Sequence, residues 1–82
     1  MVSPELIRLL CCPETHQEVR LADNALLARL NREITLGQLK NRTGRPVRHQ
    51  LDGGLLREDG KLLYPVRGEI PVMLIEEAIP LT

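Results

Sequence analysis

The sequence predicts an α+β fold: an N-terminal helix and an inserted helix packed on a small, mostly antiparallel sheet with a C-terminal β-hairpin and closing strand. Three observations carry this. The stretch "GGLLREDGKLLYPV" places apolar runs on either side of Asp59-Gly60, a strong short-range hairpin signal. Leu26, Leu30 and Ile34 recur every four residues, as on one face of a helix. The chain has 82 residues, 43% hydrophobic and 27% charged, which suits one small soluble domain spanning 1–82 and argues against disorder.

At the N-terminus, Ser3-Pro4-Glu5 is a helix start, with Ser as N-cap, Pro at the first helical position and an acid in the first turn. Leu6, Leu9 and Leu10 form its stripe and Pro13 ends it, so Cys11 and Cys12 fall at its C-terminal edge. Residues 18–22 alternate in part and predict a short strand. Asp23-Asn24 caps the inserted helix and Gly37 stops it.

The inserted region, about 23–50, ends in "KNRTGRPVRHQ", which carries Lys40, Arg42, Arg45, Arg48 and His49 without an acid. Its Gly-Arg-Pro punctuation predicts a loop. These side chains are candidate anion contacts, although a solvated connection explains the same composition.

In the hairpin, a type I′ turn at Asp59-Gly60 pairs Glu58 with Lys61, Leu56 with Leu63 and Leu55 with Tyr64. Gly68-Glu69 predicts a type II′ turn into "IPVMLI". That closing strand is apolar on both faces, with Ile70, Val72 and Leu74 on one and Met73 and Ile75 on the other. It is therefore either buried on both sides or open to a partner.

Several function classes are disfavoured. Eleven basic residues balance eleven acidic ones, so no global field draws the chain to nucleic acid or to anionic membranes. Tyr64 is the sole aromatic residue, which leaves little for base stacking. No apolar run approaches the roughly 20 residues that span a bilayer, and the start "MVSPELIRLLCC" lacks a signal peptide's basic flank. These features predict a cytoplasmic protein without a membrane partner. Neither G-x-x-x-x-G-K-[ST] nor G-x-G-x-x-G occurs.

A zinc site can be written with Cys11, Cys12, His16 and His49, but adjacent cysteines aim in different directions. A nucleophilic cysteine is opposed by the negative end of the helix it terminates. The reading is no enzyme, no cofactor and no metal.

The segments "LLCCPET", "GGLLREDGKLLYPVR" and "IPVMLIEEAIP" together resemble the small zinc-ribbon-like family that includes the activator subunit of tRNA, rRNA and release-factor methyltransferases, with its short bacterial YcaR-like members. The resemblance covers about half of the chain, at its two ends. It implies the α+β fold and a role as accessory subunit to an S-adenosylmethionine-dependent methyltransferase, extending the enzyme's sheet and covering an apolar surface. It also implies metal ligands at four positions, of which only Cys12 remains. Thr15 stands at the second, and the later pair falls near Arg57 and Gly60.

The expected function is thus a non-catalytic protein-interaction module with interface candidates Tyr64, Val72, Met73 and Leu74. Its partner is a protein, a methyltransferase or a second copy of the chain. The alternative is an RNA- or ribosome-associated protein that uses Lys40, Arg42, Arg45 and Arg48.

Overall fold

The computed structural model describes residues 10–12 and 15–81. Residues 3–9 of the predicted N-terminal helix lie outside them, but its expected C-terminal edge is not helical. Leu10 and Cys12 belong to no helix, and Cys11 forms an antiparallel bridge with Glu18, so the cysteines enter the sheet region instead of ending a helix. The described chain runs β1 (Val19–Leu21), α1 (Asn24–Thr35), β2 (Gly53–Arg57), β3 (Leu62–Arg67), β4 (Ile70–Pro71), a 3-10 turn (Ile75–Glu77) and β5 (Ile79–Pro80). All strand pairs are antiparallel, in the order β1-β2-β3-β4, with β5 also against β3. Among the described residues this is an α+β arrangement of one α-helix and one curled sheet.

Helix α1 begins and ends as its sequence dictates. The Asp23 carboxylate accepts from the Leu26 amide at 2.8 Å. At the other end Gly37 adopts a φ of 72°, and the amides of Gly37 and Gln38 return to the carbonyls of Ile34 and Glu33. That paired closure is a Schellman motif, which needs a residue at ease with positive φ.

Asn31, in the middle of α1, holds Leu51 by two bonds: its amide donates to the Leu51 carbonyl at 3.2 Å and its carbonyl accepts from the Leu51 amide at 2.7 Å. The helix is thereby tied to the chain entering β2.

The sheet buries both faces. On one, Leu63 and Ile79 pack with Leu30 and Ile34 of α1 and with Leu39, Val47 and Leu51. On the other, Leu55, Leu62, Tyr64 and Val66 pack with Cys12, Val19 and Ala78, and Leu10 and Met73 lie against them. Period-two alternation along β2 and β3 separates the two sets. Gly54 is required for the first of them, because a Cβ there would lie 2.8 Å from Cδ1 of the buried Leu63.

The hairpin register is the expected one, with Leu55 opposite Tyr64 and Leu56 opposite Leu63. Both turns differ from expectation. Among the described non-glycine residues only His16 and Glu69 have positive φ, so Asp59 does not, and the type I′ turn is not formed. Instead Gly60 donates to the Arg57 carbonyl and Asp59 Oδ1 accepts from the Lys61 amide at 3.0 Å, closing a four-residue loop. Asp59 thereby closes the loop at negative φ, and Gly60, with a φ of 74°, takes the left-handed position alone. Conversely, Gly68 and Glu69 both have positive φ, 56° and 66°, so the expected type II′ turn is type I′.

The closing strand also differs. Pairing with β3 runs from Ile70 to the Val72 amide, which donates to Pro65, and resumes only at Ile79 opposite Leu63. Residues 73–78 leave the sheet where Tyr64 would be their partner, and of these six only small Ala78 is buried. Ala78 joins Tyr64 in the core.

Candidate functional site

Cys12 and Arg57 bring the two ends of the chain together. The Cys12 Sγ lies 2.9 Å from the Tyr64 hydroxyl and accepts from an Arg57 Nη at 3.8 Å. The guanidinium turns its fork to Asp59, with Nε to Oδ1 at 2.8 Å and Nη to Oδ2 at 2.7 Å. Such a bidentate pair is the strongest geometry available to arginine and carboxylate. Only 8% of the Arg57 side chain is exposed, against 27% for Asp59.

Gln17 extends the network from the other loop. Its amide nitrogen donates to Asp59 at 3.4 Å and its amide oxygen accepts from the Asp59 N–H at 3.2 Å. The loop after Cys12 and the turn of the hairpin are therefore held by hydrogen bonds and one ion pair.

This geometry does not fit zinc. A fixed cation, Arg57, stands beside the one thiol that matches the expected ligand set. Thr15 is exposed, its hydroxyl 3.5 Å from the Gln17 amide. Cys11 is exposed where Cys12 is buried, so the adjacent thiols diverge. Among the described residues no group of three or more His, Cys, Asp or Glu is placed to hold a metal ion, so Cys11, Cys12, His16 and His49 do not form a site.

The network makes the fold sensitive to acid. The hydrogen bond from Arg57 holds the Asp59 carboxyl down from its ordinary 3.8 to about 2, with the Lys61 amide and Gln17 adding to it against some desolvation. A carboxylate depressed in the folded state contributes stability that is complete above its unfolded pKa and is lost as pH falls through the folded one. Asp59→Asn is thus expected to flatten the pH dependence of the melting temperature between about pH 4 and 2 relative to wild type. Thermal melts across that window check it.

Two other features concern the predicted site residues. Among the interface candidates, Tyr64 is fully buried and is corrected to a core residue, whereas Val72 and Met73 are half-buried and Leu74 is exposed. Ile70, beside them, is exposed too. Of the basic side chains, Arg45 and Arg48 line a cleft with His49, Arg67 and Glu77, while Lys40 and Arg42 are not among its walls.

The chain is similar over 96% of its length to the solution structure of XF2673 from Xylella fastidiosa, at 33% identity and a TM-score of 0.76, covering 81% of that protein. This chain belongs to the XF2673 family. No family model matches it, and no curated protein does.

In this XF2673 relative, the residues that sequence reasoning missed are Gln17, Asp59 and Arg67. Asp59 was legible as a turn residue, but its role as the partner of a buried arginine depends on Arg57 pointing inward. The strand alternation that places Leu55 and Tyr64 on the core face also places Arg57 there, which is the signal that could have found it.

Proposed function

We propose that the chain is a non-catalytic interaction module, an accessory subunit that stabilises a partner of the S-adenosylmethionine-dependent methyltransferase class. The observation that supports this reading is the apolar run of residues 70–74, where Ile70 is 67% and Leu74 57% exposed beside half-buried Val72 and Met73.

The mode of contact follows from the strand edge. Val72 donates inward to Pro65, and Leu81 donates inward to Lys61, so Pro71 and Pro80 occupy the alternate, outward-facing positions of β4 and β5. A partner strand would find no N–H at either proline. Side-chain burial, rather than extension of the sheet at this edge, is the proposed means of association.

The experiment is to coexpress the chain with methyltransferases of its host and measure their thermal stability. One enzyme is expected to gain several degrees. Replacing both Ile70 and Leu74 with glutamate should abolish that gain while leaving the module's own stability within about 0.5 kcal/mol, as for exposed positions generally. Leu36→Glu, at an exposed site on the helix terminus, should leave the gain intact. Equal stabilisation by the doubly charged variant, or none by wild type, would overturn the reading.

A further inference from the structure

We propose that the cleft between the 41–49 loop and the end of β3 binds a phosphate dianion, free or as the ester of a small molecule. The cleft has a volume of about 240 Å³ and gathers Asn41, Arg45, Arg48, His49, Arg67 and Glu77. Three guanidinium groups against one carboxylate leave two positive charges at one place, in a chain whose formal net charge is zero. The excess is local and matches a doubly charged oxyanion.

Arg67 is the group that most needs an acceptor. Its closest approach to Glu77 is 3.8 Å, too long for a hydrogen bond, and its Nε is buried without a partner. One third of the side chain remains exposed, so the guanidinium head can reach an anion in the cleft.

The opposite wall is already ordered. The Asn41 carbonyl oxygen of the side chain accepts from the Thr43 amide at 3.0 Å, the Thr43 hydroxyl at 2.6 Å and the Arg45 amide at 3.1 Å. Gly44 turns the chain with a φ of 83°, Lys40 bridges Pro46, and buried Val47 anchors the segment. The backbone that carries Arg45 and Arg48 therefore loses little entropy when a ligand binds. Lys40 and Arg42 lie off the cleft and the sole aromatic ring is buried, which disfavours an extended polynucleotide track.

The test is titration of the 15N-labelled full chain with inorganic phosphate, at ionic strength held constant with chloride, followed by NMR. Saturable shifts confined to residues 45–49 and 67 are expected. Arg45→Gln and Arg48→Gln should each weaken binding about tenfold, the loss of one charge-assisted hydrogen bond, while Lys40→Gln leaves it unchanged. Both arginines are exposed, so folding is not at stake. A sugar phosphate titrated in parallel separates the sources: tighter binding than phosphate assigns the cleft to a phosphate ester, equal binding to the free anion. Linear shifts, shifts reproduced by chloride alone, or insensitivity to Arg48→Gln would overturn the proposal. So would an RNA oligonucleotide that binds more than tenfold tighter through Lys40 and Arg42.

Discussion

Replacing Tyr64 with alanine is expected to destabilise the domain by about 3–5 kcal/mol, the usual cost of emptying a buried ring site. A folded domain of this length holds roughly 4–12 kcal/mol in total, so the variant should be largely unfolded at modest denaturant. Tyr64 has no exposed surface and touches both core residues and the Cys12 thiol. Truncation therefore removes apolar contact and a hydrogen-bond partner together. Tyr64→Phe keeps the ring and loses only the hydroxyl, and about 1 kcal/mol is expected for it because Arg57 still donates to the sulfur. Urea titration of both variants is the measurement. A wild-type midpoint for Tyr64→Ala would mean that the residue belongs to a surface, as its place beside the closing strand in sequence suggests.

How far the sequence could go is clear from which interactions are local. The α1 caps, Asp23 and Gly37, act within four residues of themselves, and the hairpin register follows from alternation plus loop length. All of these were legible. The turn types were not, because Asp-Gly suits a two-residue I′ turn and also a four-residue loop capped by the aspartate. What decides between them is the carboxylate's partners, Arg57 and Lys61, and Arg57 in turn meets Cys12, 45 residues away.

The closing strand fails for a similar reason. An apolar run over residues 70–75 satisfies strand propensity, but continued pairing would set a partner residue opposite Tyr64, and the chain instead loops out and returns with Ala78. Leu55 already faces Tyr64 from β2, so the ring does not bar a partner; the packing of Met73 and Ala78 onto the Tyr64 cluster is a tertiary arrangement that overrides the local strand preference. The cleft was half legible. Its arginines 45 and 48 stand in one basic segment, but Arg67 arrives from a strand and depends on tertiary placement.

The second large effect should come from the other face of the sheet. Leu30 is buried against Leu63 and Ile79, so Leu30→Ala is expected to cost about 2–5 kcal/mol, depending on how far the helix settles into the gap. Leu36→Ala, six residues on at the C-cap and 59% exposed, should stay within about 0.5 kcal/mol. The contrast tests the docked face of α1 rather than helix propensity, since leucine-to-alanine favours the helix at Leu30, and Leu36 is the C-cap, just past the last helical residue. Leu30 and Tyr64 belong to separate clusters on opposite faces of one sheet. Leu30→Ala combined with the mild Tyr64→Phe should therefore add to within about 0.5 kcal/mol. A larger deviation would show that β3 transmits strain between its faces, with Leu63 and Tyr64 as the adjacent residues through which it passes.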